Sequence, residues 1–86
     1  MYTPEKLCET IRSVYPDVGA CGVNIKTCFD PDNMAWIVQL KHGNRKLSTY
    51  VDPEDAGPCM DGKQCLGLGL QIFQLKDNLG FKGGNS

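Results

Sequence analysis

Residues 23–51, VNIKTCFDPDNMAWIVQLKHGNRKLSTYV, carry the pattern that decides the fold. Apolar or β-branched residues alternate with polar ones in three runs, which predicts three β-strands with one apolar face each. The first two runs are separated by residues 30–33 (DPDN), and the last two by Gly43-Asn44. Pro fixes φ, and Gly and Asn tolerate positive φ, so both segments are typical of turns. We therefore expect a three-stranded antiparallel β-meander.

The two turns agree on which face of the meander is buried. A two-residue loop at 43–44 pairs Leu40 with Leu47, and a four-residue loop at 30–33 pairs Phe29 with Met34. A one-residue slip at either turn would bury Lys and Asn side chains instead. The face that both turns place inward consists of Met34, Trp36, Val38 and Leu40.

Two helices flank the predicted strands. Thr3 is an N-cap candidate, Pro4 suits the first helical position, and Pro16-Asp17 ends the first helix. The second helix is expected over about residues 63–78, with Gly80 as its stop. A short turn at residues 52–58 precedes it. Both helices are amphipathic and need an apolar surface to cover.

The predicted fold is α+β: a three-stranded antiparallel β-meander with two helices packed on one face, in the order α-β-β-β-α. Residues 1–80 form a single domain, and residues 81–86 are expected to be a flexible C-terminal tail. The predicted core comprises Leu7, Ile11, Val23, Ile25, Phe29, Trp36, Val38, Leu40, Leu47, Val51, Leu66, Leu70 and Phe73.

Composition narrows the function classes. The chain has 86 residues, with nine Lys and Arg against ten Asp and Glu, and a net charge of −1. No apolar run approaches the about 20 residues of a membrane helix, and no segment resembles a secretory leader. The number of cysteines, five, is odd, which favours reduced thiols in the cytoplasm over a disulfide scaffold. No convergent catalytic set is visible, so we lean against an enzyme.

The cysteines leave three readings open. Because the third strand would end near Cys28, the thiols of Cys28, Cys59 and Cys65 could share one end of the domain and bind zinc or iron. Alternatively, Cys65 at a helix start and Cys59 could form a thiol-redox pair. The simplest reading is that all five cysteines are buried thiols and no cofactor is expected.

The outer face of the sheet is the predicted interaction surface. Its candidate contact residues are Lys26, Ile37, Gln39 and Tyr50, together with His42 at the hairpin tip. We expect another protein to bind there, or the chain to self-associate through this open face or an edge strand. The leading hypothesis is a small cytoplasmic, non-enzymatic accessory or protein-interaction module whose pathway is unknown.

The element order α-β-β-β-α also resembles the double-stranded-RNA-binding domain. The resemblance implies a lysine cluster at the start of the second helix that grips phosphates. Residues 61–65 here read DGKQC and supply only Lys63, close to the acidic residues 52–55. We therefore expect neither nucleic acid nor membrane as the principal partner, and a weak RNA-binding module is the third hypothesis.

Overall fold

The structure, a computed structural model, describes residues 2–81. Its elements follow the predicted order, with one additional helix. They are α1 (Pro4–Val14), a 3-10 turn (Pro16–Val18), β1 (Ile25–Asp30), β2 (Ala35–His42), β3 (Arg45–Val51), α2 (Pro53–Met60) and α3 (Leu66–Leu79). The strands form one antiparallel sheet in the order β1-β2-β3, which confirms the predicted α+β meander.

Helix α2 is longer than the short turn expected at residues 52–58. It has eight residues and contains Pro58, which lacks the N–H that a helix interior normally uses. Four of its residues are nevertheless buried against the rest of the domain: Ala56, Gly57, Cys59 and Met60. This burial, and not intrinsic helix propensity, explains why the segment is helical.

One hairpin register is confirmed and the other is shifted. In β2–β3, Leu40 pairs with Leu47, as predicted. In β1–β2, Phe29 pairs with Trp36 instead of Met34. The carboxylate of Asp30 accepts hydrogen bonds from residues 32 and 33, while its backbone still pairs in the sheet, so the turn moves to residues 31–34. The shift is two residues, so every strand residue keeps its predicted face. Met34, which was predicted to be buried, is exposed in this turn.

Both terminal helices cover the same face of the sheet. The hydroxyl of Thr27 in β1 donates to the carbonyl of Pro4 in α1 (2.6 Å), and that of Thr49 in β3 donates to the amide oxygen of Gln71 in α3 (3.2 Å). Trp36 lies in the core beneath them, with Phe29 packed edge-on at 5.1 Å between ring centroids. The buried sheet residues are Ile25, Ala35, Trp36, Val38, Leu40 and Val51.

The rotation of α3 about its axis differs from the prediction. The stripe Leu66, Leu70 and Phe73, predicted to be core, is exposed. The opposite stripe is buried instead, and it consists of Leu68, Ile72, Leu75 and Leu79. Val23 and Phe29 are also more exposed than predicted. Both stripes of α3 are apolar, so sequence periodicity does not distinguish the core face.

The chain remains packed against the domain as far as Phe81, one residue beyond the predicted end of the domain. The predicted flexible tail comprised residues 81–86, but Phe81 is half-buried and its ring lies 4.3 Å from that of His42. Residues 82–86 lie outside the described part of the chain. Among residues 2–81, no helix is long and apolar enough to cross a membrane.

Candidate functional site

The face of the sheet opposite the helices is left open. Antiparallel pairing places Lys26 beside Gln39 on one row, and Cys28, Ile37 and Tyr50 on the next. Lys26, Cys28 and Tyr50 are exposed, and Ile37 and Gln39 are half-buried. We call this surface the outer sheet face and define it by Lys26, Cys28, Ile37, Gln39, Lys41, Lys46, Ser48 and Tyr50.

One end of the outer sheet face is basic. Lys41 and Lys46 lie directly opposite each other in the β2–β3 ladder, and Lys26 lies on the neighbouring strand. These lysines surround a shallow depression of about 80 Å³, which Val23 and Asn24 also line. Within residues 2–81 the one ion pair joins Lys76 to Asp17, so no carboxylate neutralises this cluster. A directly opposed pair of like charges destabilises a sheet.

The other end of the outer sheet face holds a polar network. The Tyr50 hydroxyl donates to Asp30 Oδ2 (3.4 Å), and the Asn33 amide donates to the same oxygen (2.8 Å). The Asn33 amide, as the strongest of these donors, lowers the pKa of the Asp30 carboxyl below its usual value. Because Asp30 is on β1 and Tyr50 is on β3, the tyrosine side chain must cross β2. The face therefore has a cationic end and an anionic end.

The structure brings together four of the five residues predicted for interaction. Lys26, Ile37, Gln39 and Tyr50 share the outer sheet face. His42 does not, because it follows Lys41 by one residue and alternation directs it to the side of the helices. There its ring stacks on Phe81. Lys41 and Lys46 were not among the predicted contact residues, but they lie on the same face by the same alternation.

The structure does not bring the predicted metal-binding thiols to one point. Cys59 and Cys65 form a disulfide, with Cα atoms 4.4 Å apart, on the side of the helices. Cys28 is an exposed free thiol on the outer sheet face. Among residues 2–81, no group of three or more His, Cys, Asp or Glu side chains could hold a metal ion.

A second disulfide joins Cys8 in α1 to Cys21 in the loop before β1. The prediction of five reduced, buried thiols is thus wrong, because four cysteines pair and leave Cys28 as the odd one. One feature of the sequence could have indicated this bond. Cys8 lies on the apolar stripe of α1, which packs on the sheet, and Cys21 lies in the loop that leads into the first strand of that sheet. The disulfide borders an open depression of about 410 Å³ between α1 and β1.

Helix α3 begins at the second disulfide. Cys65 is the N-cap residue of α3 and is half-buried, whereas Cys59 in α2 is buried. No side chain caps the first turn of α3, so its free N–H groups give this end a partial positive charge. The Asp55 carboxylate lies against Gly67 in the same turn, so a negatively charged side chain already faces this end of the helix.

Comparisons with protein-family models, with curated proteins and with solved structures give no match for this chain.

Proposed function

We propose that this protein is a non-enzymatic protein-interaction module whose outer sheet face binds an acidic segment of another protein. The observation that carries the proposal is the uncompensated lysine cluster, in which Lys41 faces Lys46 and Lys26 lies alongside. Carboxylates of a partner would remove the repulsion between these charges. Ile37 and Tyr50 lie beside the cluster and offer apolar contact area.

The shape of the surface supports a protein partner of extended conformation. The depression that the lysines surround has a volume of about 80 Å³, which is too small for a drug-sized molecule, because such a molecule needs a pocket of roughly 300 Å³ or more. A strand with acidic residues at every second position would present all its carboxylates to the lysines at once. The anionic end at Asp30 would repel such a strand and so restrict it to the basic end.

A titration tests this proposal. The ¹⁵N-labelled full chain is titrated with a peptide of alternating Glu and Val, and in parallel with a short RNA duplex. We expect the peptide to shift the backbone resonances of Lys26, Lys41 and Lys46, and its affinity to fall as salt rises. The double variant Lys41→Glu/Lys46→Glu should weaken binding at least about tenfold.

The matched control is Lys6→Glu/Arg12→Glu, which makes the same double charge reversal at exposed residues of α1. It should leave the affinity of the peptide within about twofold. Equal losses in both variants, or no binding by the peptide, would contradict the proposal. If the RNA duplex bound these lysines more tightly than the peptide does, the outer sheet face would be a nucleic-acid-binding surface instead.

The Cys59–Cys65 disulfide supports a second candidate function, thiol–disulfide exchange. Once a small dithiol has reduced the Cys59–Cys65 bond and has itself become a disulfide, the Cys65 thiolate would attack a disulfide sulfur of a partner protein. One partner thiolate leaves and takes up a proton. The Cys59 thiolate would then attack Cys65 in this mixed disulfide. That step re-forms the Cys59–Cys65 bond and releases the second partner thiol. The partner is reduced by two electrons and the module is oxidised by two.

Reduction of insulin by a small dithiol, followed by turbidity, tests the exchange reaction. The wild-type chain should accelerate precipitation, and the variant Cys59→Ala/Cys65→Ala should not. Cys8→Ala/Cys21→Ala is the matched control, since it removes the disulfide between α1 and the loop before β1 and leaves Cys59 and Cys65 in place, and it should retain the acceleration. Equal rates with and without wild-type protein would assign Cys59–Cys65 a structural role only.

The two disulfides also indicate the kind of cellular compartment in which the protein folds. The cytoplasmic prediction rested on reduced thiols, and two disulfides instead favour an oxidising compartment, which we propose for the folded form. Acid quenching of the source cells followed by alkylation should find one free thiol, that of Cys28, and five after reduction. Five free thiols before reduction would restore the cytoplasmic assignment.

A further inference from the structure

Helix α3 carries an apolar stripe that nothing in the described chain covers. Leu66, Leu70 and Phe73 are spaced by four and three residues and so lie on one side of the helix. They are 65%, 56% and 54% exposed, respectively. The buried stripe begins two residues later, at Leu68, and therefore lies about 200° around the helix. Single exposed apolar residues are common on protein surfaces, whereas these three lie in register and form one continuous apolar patch.

The stripe is flanked by opposite charges. Lys63 lies just before the N-terminal end of α3, and Asp77 lies in its last turn. Both residues are exposed, and within residues 2–81 neither belongs to an ion pair. The backbone N–H of Lys63 donates to the carbonyl of Pro58 (2.9 Å), which fixes the position of Lys63 beside the helix start. The stripe is thus positive at one end and negative at the other.

This arrangement is complementary to itself. If two copies of α3 cross antiparallel about a two-fold axis at Leu70, residues equally far from position 70 face each other. Asp77 lies seven residues from that axis on α3, and Lys63 lies in the bend just before the first residue of α3. The partner subunit's Asp77 therefore comes to the end of α3 that Lys63 precedes, and the same holds for the other Lys63 and Asp77. Leu66 and Phe73, at four and three residues, come within one residue of facing each other. The antiparallel helix dipoles are also aligned favourably.

We propose that this protein forms a homodimer through the α3 stripe of Leu66, Leu70 and Phe73, with reciprocal Lys63–Asp77 ion pairs at its two ends. The three side chains each expose roughly 100 Å², so two copies bury about 600 Å² of apolar surface. Stable interfaces bury about 1,200 Å² or more, so the stripe alone accounts for about half of that area. Association is therefore weak, with a dissociation constant of about 10–100 μM.

The outer sheet face is on the opposite side of the domain from the helices, so this dimer leaves it free. The module would then present two basic faces to one partner or to two. The dimer does not depend on the function proposed for that face. Loss of either activity by mutation should not affect the other.

Sedimentation equilibrium of the full chain tests the dimer, in a Cys28→Ser background that prevents intermolecular disulfides. We expect concentration-dependent dimerisation between about 1 μM and about 1 mM. Leu70→Lys places two like charges at the axis and should weaken association more than about tenfold. Met34→Lys, at an equally exposed apolar residue in the β1–β2 turn, should leave the dissociation constant within about twofold.

Charge reversal tests the antiparallel arrangement independently of the Leu70 variant and its folding. Lys63→Asp and Asp77→Lys should each weaken the dimer about three- to tenfold. The double variant restores opposite charges at both ends and should return to within about twofold of wild type. A monomer at all concentrations, a dimer insensitive to Leu70→Lys, or a double variant weaker than both single variants would overturn the proposal.

Discussion

Lys76 is the one charged side chain that is buried within residues 2–81, and its surroundings compensate for that burial. Its Nζ lies 2.8 Å from the carboxylate of Asp17 and 4.3 Å from the ring centroid of Tyr15. It also lies 5.7 Å from the ring centroid of Phe81. The side chain therefore links α3 to the 3-10 turn after α1 through charge and through packing.

Removing the carboxylate should leave this ammonium group without its counter-charge. We expect Asp17→Asn to lower the free energy of unfolding by about 1–2 kcal/mol, less than for a fully buried pair because Asp17 is half-exposed. Lys76→Met keeps most of the packing, so adding it to Asp17→Asn should recover part of the loss. Urea unfolding of the four proteins of the cycle measures this coupling. Strictly additive effects would show that the ion pair contributes nothing.

Because of Tyr2, the free energy of unfolding should depend on pH in the alkaline range. Its hydroxyl donates to Asp61 Oδ2 at 2.6 Å, and this hydrogen bond raises the pKa of Tyr2 above its ordinary value of 10.0. The stabilisation is complete below that ordinary pKa and is lost as pH rises through the higher pKa of the folded state. The free energy of unfolding should therefore fall more steeply above pH 10.0 in wild type than in Tyr2→Phe. Parallel curves for the two proteins would contradict this expectation.

At the level of elements, local rules predicted the β2–β3 hairpin fully. Gly43-Asn44 fixes a two-residue loop, and alternation then determines every pair along the strands. The β1–β2 register was missed by two residues because it depends on side-chain bonds of Asp30, which composition does not reveal. The faces were nevertheless correct, and the outer sheet face with Ile37 and Tyr50 could be predicted for that reason.

Helices were harder to orient than strands. In α3 the sequence predicts a helix but offers two apolar stripes, and only packing on the sheet selects Leu68 and Ile72 over Leu70 and Phe73. The Cys8–Cys21 pair was missed for a similar reason. Its partners are 13 residues apart in sequence and meet only once α1 has docked on the sheet.

The two disulfides should stabilise their elements unequally. Cys8–Cys21 closes the longer loop, with a sequence separation of 13 against 6 for Cys59–Cys65. Loop-closure entropy then gives about 3 kcal/mol for the first bond and about 2 kcal/mol for the second. Denaturant unfolding of Cys8→Ala/Cys21→Ala and of Cys59→Ala/Cys65→Ala should show the larger loss in the first variant. The reverse order would mean that native packing around α2, not chain entropy, determines the difference.

At the scale of the whole molecule, the disulfides matter because the domain is small. A chain of 86 residues has a free energy of unfolding of roughly 4–13 kcal/mol. Losing both disulfides would remove about 5 kcal/mol, which is comparable with the lower part of that range. Without its disulfides the domain would therefore be marginally stable or unfolded.

Thermal unfolding followed by circular dichroism should therefore respond strongly to reductant. We expect the midpoint of unfolding to fall by more than about 20 °C when a dithiol reduces both bonds. The variant with alanine at all four paired positions should have the same low midpoint with or without reductant. A wild-type midpoint that reductant leaves unchanged would show that the folded protein does not depend on its disulfides.

The position of the single tryptophan determines what the fluorescence of this protein reports. Trp36 is buried on the helix side of β2, in contact with Phe29, while Tyr50 lies exposed on the other side of the sheet. Indole fluorescence therefore reports whether the helices are packed on the sheet and is shielded from anything that binds opposite. Of the three tyrosines, Tyr50 lies on the outer sheet face, so its absorbance would respond to a partner bound there. Unfolding and ligand binding can thus be followed in one cuvette, without a label.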